Sequence, residues 1–187
     1  MSAHALRDAT LADIPAITAI YRHAVLHGTA SYELAPPDEA EMERRFLALT
    51  GEGYPYIVSE DGSGTILGYA YAGPFRARPA YRWSVEDSVY LAPDAQGYGV
   101  GRALLLRLVE LSEELGFRQM IAVIGGSDHA PSIRLHERAG FRTIGIFQNS
   151  GFKHGKWIDT VFMQLPLGES GETPPDEAAY PGTMFKG

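Results

Sequence analysis

The sequence predicts a mixed α/β domain, a sheet with helices packed against it. Two observations carry that expectation. The periodic segments follow one another as β-α-α-β-β-β-α-β-α-β-β. Hairpin signals early and late flank a β-α-β unit in the middle, which mixes antiparallel with parallel pairing. A chain of 187 residues is long enough for one domain with a substantial core.

Each element has its own warrant. His4–Ala9 reads as a short strand, and Thr10 is a helix N-cap with Asp13 in the first turn. Ile14, Ile17, Tyr21 and Val25 then recur with helical period. "GTASYELAPP" breaks that helix, and a second runs from near Pro37 to about Gly51. "YPYIVSE" and "TILGYAYAGPF" are β-rich runs joined by Asp61-Gly62-Ser63-Gly64, a hairpin signal. "FRARPAYRW" is a polar, aromatic loop. "SVEDSVYL" alternates, with Val85, Val89 and Leu91 on one face and Glu86, Ser88 and Tyr90 on the other. Arg102–Leu115 is a helix stopped by Gly116, and "FRQMIAVIGG" is a buried strand. "SDHAPSIRLHERAG" is a helix closed by Gly140. "FRTIGIF" and "WIDTVFMQLPL" are the last two strands, with "QNSGFKHGK" as the connection. A domain over residues 1–165 is expected. Residues 166–187, rich in Pro, Gly and Glu, are expected to form a loosely ordered tail.

The totals exclude several functions. A net charge of −7 argues against general nucleic-acid binding, which needs a basic face. There is no cysteine, hence no disulfide, thiolate nucleophile or cysteine zinc site. No metal is expected: His23 and His27 are four apart but lie on an ordinary amphipathic helix. The N-terminal residues lack the pattern of a signal peptide, and no apolar run approaches the ~18 residues of a membrane span. The expected location is the cytoplasm.

The most informative stretch is Gln96-Gly97-Tyr98-Gly99-Val100-Gly101, directly before a helix. A Walker loop would end in Gly-Lys-Ser/Thr, but Arg102-Ala103 follows Gly101. The dinucleotide fingerprint would place its third glycine at 102, which is arginine. A strand, a short Gln-x-x-Gly-x-Gly loop and a helix remain. Glycines allow amide groups to converge on an anion, and the helix N-terminus adds donors and partial positive charge. A plain strand-to-helix turn fits the same residues.

The Gln96–Gly101 loop resembles the acetyl-CoA signature of the GCN5-related N-acetyltransferases (GNAT), and "LHERAGF" (Leu135–Phe141) also sits where that family has it. Three longer blocks, "YAGPFRARPAYRWSVEDSVYL", Ala122–Phe141 and Gly151–Gln164, are similar to the phosphinothricin and methionine sulfoximine acetyltransferase subfamily. The resemblance covers about residues 4–165. It implies a mostly antiparallel sheet with helices on both faces and a splayed acetyl-CoA site at its centre. It also implies acetyl transfer to the α-amino group of an amino-acid-like acceptor, acetyl-CoA as co-substrate, and a homodimer. The alternatives are another amine acceptor, such as a polyamine, an aminoglycoside or a protein N-terminus, or an acyl-CoA sensor without activity.

The resemblance assigns residues. Glu86 is the base, against the alternative of an ion pair with Arg78 or Arg82. His136 is an acid or positioner, or simply a packed helix histidine. The cofactor set is Val89, Tyr90 and Leu91 through their backbone, Gln96, Gly97, Tyr98, Gly99, Val100, Gly101 and Arg102 as the pyrophosphate cradle, and His129 and Ser132 beside the pantetheine. His129 departs from the asparagine common in the family, and helix capping by Ser127 or Asp128 is the alternative use of that segment. Tyr32, Arg76, Arg78, Tyr81 and Glu86 form the expected acceptor pocket, since arginine's planar fork suits carboxylate or phosphinate. The block holding Lys153, His154, Lys156 and Trp157 caps that pocket and contributes to the dimer interface.

Overall fold

The computed structural model describes residues 4–182. Seven strands form one sheet in the order β1-β2-β3-β4-β5-β7-β6. They are β1 (Ala5–Asp8), β2 (Tyr56–Glu60), β3 (Ile66–Pro74), β4 (Ser84–Leu91), β5 (Gln119–Gly125), β6 (Arg142–Lys153) and β7 (Lys156–Pro166). The helices are α1 (Ile14–His27), α2 (Glu39–Gly51), α3 (Val100–Glu114) and α4 (Ala130–Arg138). Every neighbouring pair is antiparallel except β4 with β5. The expected element order and sheet type are those observed.

Alternation along the strands builds two cores. On one face Ile57, Ala70, Ala72 and Val85 meet Leu104, Leu105 and Leu108 of α3. On the other, Tyr56, Val58 and Tyr69 meet Ile17, Tyr21 and Val25 of α1 and Met42 and Phe46 of α2. Burying such side chains contributes about 1.5–3 kcal/mol each before the entropy of ordering the chain is set against it.

The local chemistry refines several boundaries. Thr10 makes a capping box with Asp13, but it opens a short 3-10 turn (Leu11–Asp13), and α1 begins only at Ile14. Arg7 grips the buried Asp13 with both terminal nitrogens, at 2.7 and 2.8 Å, so β1 is tied to the entry of α1. Asp38 caps α2 by accepting from the amide of Glu41, one residue past the expected Pro37 start. α3 begins at Val100, two residues before Arg102, because Gly99 already serves as its cap.

β6 is longer than expected, while β7 keeps its expected length and starts one residue earlier, at Lys156. Most of "QNSGFKHGK" lies in β6, because a bulge between Phe147 and Gly151 absorbs Gln148–Ser150, with Asn149 at φ +51°. The connection shrinks to His154-Gly155, with φ of +52° and +74°. Two consecutive positive φ values are what a two-residue hairpin turn of the primed kind requires.

The segment after β7 is anchored as far as it is described. Leu167 and Tyr180 are buried in the α3-side core. The Tyr180 ring meets Trp83 and Phe117 edge-on, and its hydroxyl lies 3.2 Å from that of Tyr54. Arg82 pairs with Glu177 at 2.5 Å. Composition predicts a loose tail; two apolar anchors among the sixteen residues 167–182 do not register in a composition average.

Candidate active site

β4 and β5 part near the middle of the sheet. They pair only over Ser84–Glu86 and Gln119–Ile121, yet β4 continues to Leu91 and β5 to Gly125. Beyond Glu86, β4 therefore keeps β3 on one side and has an open edge on the other. An extended ligand can add to such an edge as a further strand. Val89 and Leu91 turn their side chains into the α3-side core, and Tyr90 packs between Tyr21 and Tyr69. What these three residues can offer the seam is backbone.

The loop that follows separates the glycines into two kinds. Gly97 and Gly99 both have φ of +85°, and a Cβ on either would meet nothing within 4 Å. They are needed for backbone conformation. Gly101 lies inside α3, where a Cβ would sit 3.2 Å from Leu91 Cδ1 and 3.7 Å from Leu135 Cδ2. It lets the helix lie close against β4. Gly99 caps α3 with no side chain, so no cap side chain covers the first-turn amides next to the exposed Gln96–Gly99 loop. Together with the positive end of the helix dipole, this arrangement fits a pyrophosphate.

Glu86 stands where the seam opens. Burial, helped by the charge of Asp87 and opposed by Arg76, pushes its carboxyl up to about 7. A carboxylate so poised can take a proton near neutral pH. The cation acting on Glu86 is Arg76, which also lies over the Phe75 ring at 5.0 Å. Arg82 is engaged by Glu177, so the alternative pairing of Glu86 with Arg82 does not occur. Arg78 is exposed and precedes the short 3-10 turn Pro79–Tyr81, and Tyr81 meets Phe75 edge-on.

His136 is buried, at 4% exposure, and both its ring nitrogens are used. Nδ1 lies 2.8 Å from the Ser132 carbonyl, and Nε2 lies 3.0 Å from Asp87 Oδ2. Burial works against the charged ring, but Asp87 and the Ser132 carbonyl prevail and raise its pKa. Asp87 was missed from sequence. A signal existed: two adjacent acids on a strand must face opposite sides, so one of Glu86 and Asp87 had to enter a core.

The segment before α4 differs from the capping alternative. Ser127 donates to Asp159 at 2.8 Å, and Asp128 faces Lys156 at 3.9 Å. Neither caps α4, whose first turn carries Pro131 with no N–H to cap. His129 occupies the cap position, and burial lowers its pKa. Its Nδ1 is buried without a hydrogen-bond partner among the described residues. Ser132 contributes the carbonyl that holds His136.

Across the seam, Tyr32 hydrogen-bonds Thr160 Oγ1 and the Asp159 carbonyl, and its ring lies close against Gly151. Lys153, only 3% exposed, donates to the Ser31 carbonyl at 2.7 Å, and His154 reaches the Gly28 carbonyl at 3.3 Å. The β6–β7 tip thus clasps the α1–α2 loop beside the C-terminal end of β5. A cavity of about 270 Å³, lined by Tyr21, Met42, Arg45, Tyr56, Tyr69 and Tyr71, lies on the α1–α2 face, the face of the sheet that carries Glu86. Among the described residues no group of three or more His, Asp or Glu could hold a metal ion.

The seam, the glycine loop and the poised glutamate describe a group-transfer site for a nucleotide-bearing donor. Residues 6–162 match the family model of the acetyltransferase (GNAT) domain. The chain is 51% identical over 164 residues to the phosphinothricin N-acetyltransferase of Alcaligenes faecalis, covering 88% of this chain and 83% of that one. It is 42% identical over 169 residues to the L-methionine sulfoximine/L-methionine sulfone acetyltransferase of Pseudomonas paraeruginosa, covering 90% and 98%. Among solved structures, it superposes with a TM-score of 0.95 on a GNAT superfamily phosphinothricin acetyltransferase from Sinorhizobium meliloti in complex with AcCoA, at 55% identity and full coverage of both chains. The chain belongs to the GNAT acetyltransferase family.

Proposed function

We propose that the protein transfers an acetyl group from acetyl-CoA directly to the α-amino group of small amino-acid-like acceptors of the phosphinothricin, methionine sulfoximine or methionine sulfone type. The observation that carries this reading is Glu86, a carboxyl raised to about 7 at the mouth of the open β4 edge. An α-amino group with an ordinary pKa near ~8 is mostly ammonium at neutral pH and must lose a proton to attack a thioester. Glu86 receives the amine's proton, directly or through water. Gln96–Arg102 cradle the pyrophosphate, and the β4 backbone over Val89–Leu91 aligns the pantetheine arm and donates to the oxyanion. Arg76, Arg78, Tyr81 and Tyr32 bind the acceptor's anionic groups. The first two lie in an exposed cationic loop, which disfavours polyamines and aminoglycosides.

The transferase domain is assigned to residues 1–165, and the compartment is the cytoplasm, where acetyl-CoA is available. The working unit is a homodimer formed along β6 and β7. Those strands carry Ile144, Ile146, Phe147, Phe152 and Trp157, each at least half exposed, and a concentration of exposed large apolar side chains on neighbouring strands supports association there.

The test is CoA release across an acceptor panel of free amino acids, phosphinothricin, methionine sulfoximine, methionine sulfone, a polyamine and an N-terminal peptide. Turnover concentrated on the anionic amino-acid analogues is expected. Preference for the polyamine or the peptide, or acetyl-CoA binding with no turnover, overturns the reading.

A further inference from the structure

The chain after β7 runs across the closed end of the β4–β5 seam. The two strands pair only over Ser84–Glu86 and Gln119–Ile121. Just before that stretch, the Trp83 carbonyl accepts from the amides of Arg118 and Gln119, at 2.9 and 3.2 Å. The segment after β7 holds both sides of this junction. On the β5 side, the Leu167 amide donates to the Arg118 carbonyl at 3.0 Å, and Gln119 Nε2 donates to Ser170 Oγ at 2.6 Å. The Arg118 guanidinium donates to Thr173 Oγ1 at 3.2 Å and to the Pro174 carbonyl at 3.4 Å. On the β4 side, Glu177 engages Arg82, and Tyr180 meets Trp83 edge-on at 5.5 Å.

Arg82 and Trp83 also end the loop that carries Arg76, Arg78 and Tyr81. The loop is closed at its base, where the Phe75 amide donates to the Ser84 carbonyl at 3.3 Å. Its middle, Arg76–Tyr81, is exposed. An exposed binding loop takes its position from the scaffold to which its ends are fixed. Here one end is β3, and the other is gripped by Glu177 and Tyr180. That grip is itself anchored. Tyr180 is buried against Phe117 and Tyr54, and a Cβ on Gly53 would lie 3.3 Å from Pro181 Cβ, so the segment also packs on the turn after α2.

We propose that residues 167–182 form a strap that positions the acceptor loop, with Glu177 and Tyr180 as its positioning residues. Acting through Arg82 and Trp83, they fix the end of the loop whose arginines bind the acceptor's anionic groups. This rests on the acetyl-transfer reading above. The strap lies beyond residues 6–162, the part of the chain that matches the family model. Its effect falls on the acceptor and not on acetyl-CoA, because the glycine loop and the open β4 edge lie at the other end of β4. Glu86 is held independently, paired with Gly73 of β3 and Ile121 of β5.

The test uses Glu177→Gln, Tyr180→Ala and Tyr180→Phe in the full-length protein. The Glu177 side chain is 77% exposed, so Glu177→Gln keeps the fold. It should raise the acceptor KM about two- to fivefold, the scale of an exposed ion pair. Tyr180→Ala should raise it about tenfold, because misplaced binding groups lose their alignment. The KM for acetyl-CoA, and kcat at saturating acceptor, should stay within about twofold of wild type. Tyr180→Phe keeps the ring against Trp83 and should retain the wild-type acceptor KM. A second readout needs no turnover. The chain has two tryptophans, Trp83 and Trp157, and 5-fluorotryptophan labelling gives each a 19F line. The Arg82 guanidinium lies 5.7 Å from the Trp83 ring centre, so Glu177→Gln should move the Trp83 line and leave that of Trp157. An unmoved Trp83 line overturns the proposal, and so does an unchanged acceptor KM or an equal rise in both KM values. Absence of turnover by the wild type with every acceptor would instead sink the acetyl-transfer reading, and the Trp83 line would still decide whether the strap holds the loop.

Discussion

Glu86 and Asp87 are consecutive on β4 and serve opposite faces of the sheet. Glu86 shares its face with Tyr71 and Tyr90, whose hydroxyls feel its charge, while Asp87 bonds His136 on the α4 side. The period-two alternation of a strand sets this division. One residue step thus separates a carboxyl placed to take a proton from one placed to hold a proton on a neighbour.

The first prediction concerns Glu86. With its carboxyl raised to about 7, the base is protonated below that pH and competent above it. kcat/KM should therefore rise through an acid limb centred near pH 7. Glu86→Gln should keep acetyl-CoA binding, measured by calorimetry, and lower turnover by ~10²-fold or more at every pH. Undiminished turnover would remove Glu86 from the mechanism.

The glycine loop gives a contrast between neighbours. Gly99→Ala places a side chain at φ +85° in open space, which costs about 1 kcal/mol of backbone strain and distorts the cradle. Its acetyl-CoA affinity should fall more than its melting temperature. Gly101→Val pushes into Leu91 and Leu135, and overpacking of this kind costs about 1–3 kcal/mol. Its melting temperature should fall first. Thermal melts with and without acetyl-CoA separate the two, and identical behaviour would contradict the division of roles.

Gly151 is predicted to position Tyr32. A Cβ there would lie 2.1 Å from Tyr32 Cε1, so Gly151→Ala must displace the ring. The KM for the acceptor should rise several-fold while the KM for acetyl-CoA holds. An unchanged acceptor KM would take Tyr32 out of the pocket.

Acid stability should depend on Arg7 and Asp13. The Arg7 hydrogen bond outweighs burial and, with Thr10, lowers the Asp13 carboxyl to about 2. A depressed carboxylate contributes stability that is present above its ordinary pKa, near ~4, and is lost as pH falls toward 2. Arg7→Met leaves the buried Asp13 carboxylate without its main partner. Because Arg7 is 36% exposed, water screens the pair, and the cost should be about 1–2 kcal/mol rather than that of a fully buried pair. Urea unfolding at pH 7 and pH 3 checks this: the gap between variant and wild type should narrow at pH 3.

Tyr180 should matter to stability although it lies in a polar segment. It is 3% exposed and joins Tyr54, Trp83 and Phe117. Tyr180→Ala should cost about 2–4 kcal/mol, seen as a lower melting temperature. A change below 0.5 kcal/mol, about that of a surface site, would mean that the segment does not stabilise the core.

By itself the sequence determined the order of elements, the two-faced sheet, the glycine loop and the strand that carries Glu86. These follow from period, turn residues and motif spacing, which act over a few neighbours in the chain. Other features depended on partners far away in sequence. Nothing near Asp87 announces His136, 49 residues on, and nothing near Lys153 announces the Ser31 carbonyl, 122 residues back. The same holds for Gly101, whose neighbour Leu91 makes it a packing glycine while Gly97 and Gly99 are conformational ones. Burial and proton placement arise only when distant segments exclude water together, and that is why tertiary structure alone decided them.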